Sequence, residues 1–323
     1  YSICSISKLF TSIGVMQLRD QGLLDLGDLP NQHLPWFDIE QAYPNGAPVT
    51  IRGMLTHSSG LPRESDFPYW SEPDFEFPSR EQVMESVGRQ RTLYPGDTYF
   101  QYSNLGFTLA GMIVGEVSGQ MYDTYVAQNI LEPLNLSDTR PELPRALWGE
   151  RLATGHGALD RDGKRKMLPF FQARGIAPAA GFSSTVEDLA AFASWQFRLL
   201  ESGGEEVLRA NTLREMHRVH WLDPDWETAW GLGFSVSRRG NNTFVGHGGS
   251  CPGYRTHLRM ETNEKIATVV MANASGVNVD EYTARVFEIM QPAIARAIES
   301  DGGRESLDPS LDAYTGTYSG QPW

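Results

Sequence analysis

The 323-residue sequence is poor in cysteine and basic residues and has no long apolar run. Its two cysteines are too few for the disulfide framework of a small secreted domain. No stretch provides the roughly 20 apolar residues that a membrane helix needs, so no membrane span is predicted. Lysine and arginine number 27 against 40 aspartate and glutamate residues, which gives a net charge of -13. This charge repels phosphate backbones and argues against a nucleic-acid partner.

The two cysteines, Cys4 and Cys251, lie beside motifs that we place in one site below. They can therefore approach each other in the folded chain. We nevertheless predict two buried free thiols, because unpaired cysteine is among the most buried residue types.

We expect the chain to be a fragment at both ends. Tyr1 stands where a methionine would open a complete chain, and no signal peptide precedes the first predicted helix. The location is left open between the periplasm or the cell exterior, if a signal peptide was removed, and the cytoplasm. Residues 301–323 are predicted to be a linker and the start of a truncated C-terminal extension.

Apolar residues at helical spacing predict four long helices. The first covers residues 5–21 and the second residues 105–117. The third follows a capping box at residues 184–187 and ends at Gly203. A fourth begins at Asn278 and should be kinked at Pro292.

The hydrophobic period changes in the last third of the chain. Strands separated by turns are predicted at residues 233–237, 243–246, 256–260 and 266–272. Residues 30–100 are rich in proline, glycine and aromatics and are predicted to form loops with short helices. Helices therefore dominate the middle and antiparallel strands dominate the end, which indicates the α+β class.

Ser5 and Lys8 form a Ser-x-x-Lys motif at the start of the first helix. Residues three apart share a helix face, so the Ser5 hydroxyl and the Lys8 amine can meet. Serine is a poor nucleophile until a neighbour takes its proton. A partly buried lysine can lose enough basicity to do so near neutral pH. We predict Ser5 as nucleophile and Lys8 as its base; the alternative is a chance motif on a solvated helix face.

Tyr102, Ser103 and Asn104 form a second motif, just ahead of a buried helix. The phenol of Tyr102 is predicted to join Lys8 and to pass a proton to the leaving group. The alternative is a packed aromatic side chain with a satisfied hydroxyl. Asn104 is predicted to hold Lys8 or a substrate amide by hydrogen bonds.

A third motif runs from His247 through Gly248 and Gly249 to Ser250, at the end of a predicted strand. Glycines at this place let a ligand approach the backbone closely. The amides of Ser250 and Ser5 are predicted to form an oxyanion hole. The alternative is a tight glycine turn with an incidental histidine.

The three motifs in this order resemble the serine β-lactamase-like, penicillin-binding-protein family, in particular its class C β-lactamase, DD-peptidase and family VIII esterase group. Further segments are similar to segments of that group: residues 54–62, 94–96, 102–106, 180–184 and 230–233. The similarity covers nearly everything from Tyr1 to about Glu299.

The resemblance implies an antiparallel sheet flanked by helices, a mostly helical lobe, and an active site in the cleft between them. We expect a catalytic domain at 1–300, with an α/β part at 1–30 and 185–300 and a helical lobe at 31–184. In this family two strands precede the Ser-x-x-Lys helix and pair with the C-terminal strands. They are absent from this sequence, so an exposed sheet edge is expected.

His247 stands where β-lactamases and DD-peptidases of the family carry a lysine that anchors the substrate carboxylate. Histidine is mostly neutral at pH 7 and is a weaker anchor. His-x-Gly members resemble esterases and D-aminopeptidase-like enzymes. We therefore predict a serine hydrolase that forms an acyl-enzyme with a small-molecule ester, amide, peptide or β-lactam, with esters and amides preferred. A class C-type β-lactamase or DD-peptidase, an acyltransferase, and a non-catalytic penicillin-binding-like sensor module are the alternatives.

Neither a cofactor nor a metal is predicted. The G-x-S-x-G elbow of α/β-hydrolases is absent from the sequence. His217 and His220 share a helix face, but no His-Glu-x-x-His pattern supports a metal site, and a solvated helix end is preferred. His57, in the Leu-Thr-His segment, is interpreted as a structural residue that hydrogen-bonds a loop.

Overall fold

A computed structural model describes residues 1–67, 70–71 and 75–301 of the chain. Its strands, in chain order, are β1 (His156–Leu159), β2 (Arg165–Met167), β3 (Glu205–Glu206), β4 (Leu208–Arg209), β5 (Trp221–Leu222), β6 (Ala229–Trp230), β7 (Ser235–Arg239), β8 (Asn242–Cys251), β9 (Tyr254–Glu261) and β10 (Ile266–Ala272). Its α-helices are α1 (Ser7–Asp20), α2 (Pro30–His33), α3 (Ile51–Thr56), α4 (Arg80–Val87), α5 (Asn104–Ser118), α6 (Tyr122–Val126), α7 (Ala177–Ala180), α8 (Val186–Ser202), α9 (Ala210–His217) and α10 (Val279–Asp301).

Six strands form the main sheet, an antiparallel meander in the order β10-β9-β8-β7-β6-β5. In the central pair, β8 and β9, His247 lies opposite Leu258 and Gly249 opposite Thr256. β10 forms one edge of this sheet and, among the described strands, pairs with β9 alone. The predicted α+β class is confirmed.

Helices cover the sheet and bury its apolar side chains. On one face, Val245 and Leu258 join the large core to which α1 also contributes. Within that core the ring of Phe10 lies 5.0 Å from Phe182 and 4.9 Å from Phe192. A separate small cluster packs α10 on the strands, with Phe244 and Phe287 in edge-to-face contact at 4.8 Å. The first helix is thus held in the core, which fixes the start of α1 against the sheet.

Several predicted elements differ from the structure at their ends. The predicted helix over residues 5–21 divides into a 3₁₀ turn, Cys4–Ile6, and α1. The predicted capping box lies one residue too early: Thr185 is the N-cap of α8 and accepts the amide of Asp188 at 3.1 Å. The strand predicted at 266–272 is confirmed, whereas β8 extends well beyond the predicted 243–246.

The prediction of two free thiols is wrong. Cys4 and Cys251 form a disulfide, with their Cα atoms 5.8 Å apart, within the usual range for such bonds. The bond joins the 3₁₀ turn to the end of β8. The pairing depends on the approach of two segments separated by 247 residues, which hydrophobic periodicity does not report.

Helix α10 reaches Asp301, so the predicted linker begins inside a helix, and its remainder at 302–323 lies outside the described residues. None of the helices in the described part of the chain is long and apolar enough to cross a membrane. The division into a helical lobe at 31–184 and an α/β part stays a prediction.

Candidate active site

The 3₁₀ turn that carries Ser5 is anchored on both sides. The amide of Ile3 donates to the carbonyl of Phe182 at 2.8 Å, and the amide of Phe182 donates to the hydroxyl of Ser7 at 3.0 Å. Ser5 itself is half-buried, in the middle of the turn and two residues before α1 begins. Its hydroxyl is therefore held in place by backbone contacts while it remains partly accessible.

Lys8 is fully buried and its amine has three oxygen neighbours. Nζ lies 2.7 Å from Asn104 Oδ1, 2.8 Å from the carbonyl of Ala179 and 3.2 Å from Ser5 Oγ. The two shorter contacts go to oxygens that only accept hydrogen bonds. A neutral amine satisfies them with its two N–H groups, and its lone pair then faces the Ser5 hydroxyl.

The electrostatic setting favours that neutral form. Burial lowers the pKa of Lys8 well below its ordinary value, and the positive charge of Arg63 adds to this effect. The carboxylate of Glu64 acts in the opposite direction. Burial is the largest of these causes, so Lys8 has the electrostatic properties of a general base.

Tyr102 completes this group as a second neighbour of the serine. Its hydroxyl is hydrogen-bonded to Ser5, and its ring lies with its centroid 4.9 Å from Lys8 Nζ. Burial raises the pKa of Tyr102 above its ordinary value, which the hydrogen bond to Ser5 opposes. The phenol is therefore protonated at neutral pH and can donate a proton.

Asn104 holds Lys8, one of the two roles predicted for it. Its side-chain nitrogen donates to Glu64 Oε1 at 2.6 Å, which directs the amide oxygen toward the amine. Glu64 and the Ala179 carbonyl were not predicted as parts of the site. The contact to Glu64 crosses 40 residues and has no periodic signal in the sequence.

His247 lies at the same site but is not a cation. Its ring is 5.2 Å from that of Trp230 and 6.3 Å from that of Tyr102. Burial, the largest cause, lowers the pKa of His247 to about 3. Nδ1 lies 2.5 Å from the carbonyl of Gly248, so Nδ1 carries the proton and Nε2 is an acceptor, without a partner among the described residues.

Gly249 makes room for other segments of the chain, and its role in substrate binding stays a prediction. A Cβ at this position would lie 2.3 Å from the carbonyl oxygen of Ile3 and 2.1 Å from the Thr256 hydroxyl. β8 therefore packs directly on the segment before Ser5. Ser250 follows, exposed, with the Cys4–Cys251 disulfide linking the residues adjacent to Ser5 and Ser250.

His217 and His220 do not come together as ligands of one ion. Nε2 of His217 lies 2.9 Å from Gln196 Oε1, and Nε2 of His220 lies 3.0 Å from the carbonyl of Glu215. Within the described ranges, no three histidine, cysteine or acidic side chains are grouped as metal ligands would be.

The sequence model of the family described as Beta-lactamase matches residues 1–289. The chain belongs to the β-lactamase family. It is 26% identical to beta-lactamase-like protein 2 of Dictyostelium discoideum, over 98% of this chain and 61% of that protein. A shorter match, 33% identical over 42% of this chain and 35% of the relative, is to the D-alanyl-D-alanine-carboxypeptidase/endopeptidase AmpH of Escherichia coli. The chain spans 61% and 54% of two Dictyostelium relatives.

Solved structures show the same fold. The octameric penicillin-binding protein homologue from Pyrococcus abyssi superposes with a TM-score of 0.78 at 26% identity, over 90% of this chain and 66% of that one. The D-amino acid amidase from Ochrobactrum anthropi gives a TM-score of 0.69 at 25% identity, over 85% of this chain and 76% of that one. The predicted β-lactamase/transpeptidase-like fold is confirmed.

The low pKa of His247 leads to a prediction for the pH dependence of kcat/KM of this β-lactamase-family chain. With a pKa of about 3, the imidazole does not gain a proton as the pH falls through 6.5. Any decline of kcat/KM between pH 8 and 5 then belongs to other groups, and His247→Gln is expected to leave the position of that decline unchanged. Rate profiles of both proteins with a neutral ester provide the measurement. A limb near pH 6.5 that disappears in His247→Gln would show that His247 is charged at neutral pH.

Proposed function

We propose that this chain is a serine hydrolase of the β-lactamase family that forms an acyl-enzyme at Ser5 with esters or amides. The observation that carries the proposal is the contact of the Ser5 hydroxyl with both Lys8 and Tyr102. Burial lowers the pKa of Lys8, which favours the neutral amine, and raises the pKa of Tyr102, which keeps the phenol protonated. A base and an acid therefore meet at one nucleophile.

In the acylation step, Ser5 Oγ forms a bond to the substrate carbonyl carbon as its proton passes to Lys8. The carbonyl electron pair becomes an oxyanion, held by the amides of Ser5 and Ser250. Its collapse breaks the bond to the leaving alcohol or amine, which takes the proton of Tyr102. The ammonium of Lys8 returns a proton to Tyr102, so the enzyme recovers its starting protonation.

Deacylation uses the same groups in reverse. A water molecule gives a proton to the Lys8–Tyr102 pair and its oxygen attacks the acyl carbon. The bond to Ser5 Oγ breaks, and Oγ takes the proton back. Neither step requires a group outside this chain other than substrate and water.

The preference for esters and amides is supported by the neutral state of His247. A carboxylate on the substrate, as in β-lactams and DD-peptides, gains little from an uncharged imidazole. The amidase named above, a protein of similar fold, acts on an amide and supports this preference, whereas the AmpH relative is a D-alanyl-D-alanine-carboxypeptidase/endopeptidase and supports the DD-peptidase alternative. We therefore place ester or amide hydrolysis first and β-lactam hydrolysis second.

Initial rates on three chromogenic substrates test the proposal: a short-chain p-nitrophenyl ester, D-phenylalanine p-nitroanilide and a cephalosporin. We expect turnover of the ester or the anilide that disappears in Ser5→Ala. Dominant cephalosporin turnover would favour the β-lactamase alternative, and transfer to an added alcohol an acyltransferase. Covalent labelling without turnover would favour the sensor module. Full activity in Ser5→Ala, at equal folded protein, would contradict the assignment of the nucleophile.

A further inference from the structure

His57 has contacts that exceed its predicted role of bonding a loop. It ends α3 with a left-handed backbone conformation, φ 59° and ψ 27°, which histidine adopts more readily than most residues. Its carbonyl accepts the amide of Gln101 at 2.7 Å, and its Nδ1 accepts the amide of Ser103 at 3.1 Å. The two bonds hold the backbone on either side of Tyr102.

The imidazole also contacts the side chain of Tyr102 directly. The two rings are stacked, with centroids 4.1 Å apart. Two further aromatic rings contact the imidazole, with the centroid of Trp230 at 4.8 Å and that of Phe107 at 5.1 Å. Tyr102 is thus held at its backbone and at its ring by one residue.

This arrangement requires a neutral imidazole with its proton on Nε2, because Nδ1 accepts a hydrogen bond. Nε2 is buried and has no hydrogen-bond partner among the described residues. A buried N–H without a partner costs free energy that a phenylalanine ring would avoid. Unlike phenylalanine, histidine provides the acceptor Nδ1, which binds the amide of Ser103 next to Tyr102.

We propose that His57 is a positioning residue that holds the Tyr102 hydroxyl in place for its hydrogen bond with Ser5. The proposal rests on the role of Tyr102 in the proposed function. A displacement of about 1 Å at a reacting group can lower a rate by about 100-fold. Loss of the Ser103 bond is expected to act on the proton transfers of both chemical steps and to leave substrate binding largely intact.

Two substitutions of His57 separate the acceptor from the ring. His57→Phe keeps a ring and loses the acceptor, and it is expected to lower kcat by about 100-fold with KM changed less than about 3-fold. His57→Asn keeps an acceptor atom at the same place, since Asn Oδ1 corresponds to Nδ1, and asparagine tolerates the left-handed conformation. It is expected to recover about 10-fold of that loss. His217→Phe and His217→Asn are the matched controls, because His217 bonds Gln196 and no site residue.

Combination with Tyr102→Phe distinguishes positioning from a general structural role. If His57 acts through Tyr102, His57→Phe lowers kcat in the wild-type background and has no further effect in Tyr102→Phe. Thermal unfolding of every variant normalises the rates to folded protein. Additive losses, or a His57→Asn rate no better than that of His57→Phe, would overturn the proposal. Full activity of Tyr102→Phe alone would instead show that the proposed role of the tyrosine is wrong.

Discussion

Replacing Lys8 with methionine is expected to lower kcat/KM by about 10³- to 10⁶-fold, as far as Ser5→Ala does. Lys8 supplies the only atom through which the Ser5 proton leaves in the proposed acylation. Without it the hydroxyl remains a poor nucleophile. Because the two residues act as one unit, the double variant Ser5→Ala/Lys8→Met should be no slower than either single one. Initial rates on the preferred substrate, with each protein at known concentration, give the comparison.

The stability of the same variant tests the state of the amine independently of activity. The folded state lowers the pKa of Lys8 from 10.5, so the unfolded chain binds more protons between the two values. The free energy of unfolding attributable to Lys8 therefore rises as the pH increases through this range toward 10.5. Relative to Lys8→Met, the wild type should gain stability between pH 7 and pH 10 in urea unfolding. If the difference in unfolding free energy between the two proteins does not change with pH, folding leaves the pKa of Lys8 unchanged. Another residue would then have to act as the base.

Spacing alone predicts the contact between Ser5 and Lys8, whereas the placement of Tyr102, Asn104 and His247 beside them rests on the resemblance to a family. Ser5 and Lys8 are three residues apart on one turn, and Asn104 begins a helix with a continuous apolar face. These patterns show which side chains share a face of a helix or strand, and they do not depend on how the rest of the chain packs. The strand predicted at residues 266–272 succeeds for the same reason.

The parts that sequence analysis missed depend on tertiary packing. The Ala179 carbonyl reaches Lys8 across 171 residues, and a backbone oxygen has no residue type that marks it in advance. Strands β5 and β6 have two residues each, too few to show an alternating period. The packing of Gly249 on the Ile3 carbonyl was not predictable either, because a sequence does not show which distant segment lies against a glycine. Site chemistry was therefore predictable where it is local, and its supporting contacts were not.

Removing the disulfide is expected to produce the largest loss of stability among these variants. Cys4 and Cys251 close a loop with a sequence separation of 247, and cross-linking so long a loop restricts the unfolded chain strongly. The double variant Cys4→Ala/Cys251→Ala should lose about 2–5 kcal/mol of unfolding free energy. Urea unfolding of the oxidised wild type, the reduced wild type and the variant measures this, and the reduced wild type should resemble the variant.

The position of the bond adds an effect on catalysis to the effect on stability. The disulfide joins the residue before Ser5 to the residue after Ser250. The amides of these two serines form the proposed oxyanion hole. Removal of the disulfide leaves the packing of Gly249 on Ile3 as a remaining contact between the two segments. At a temperature where the variant is fully folded, we expect kcat to fall by about 10-fold or more, since one poorly placed oxyanion donor costs up to about 10²–10³ in rate. Unchanged kcat in a destabilised variant would confine the disulfide to stability and show that β8 packing alone sets the distance between the two amides.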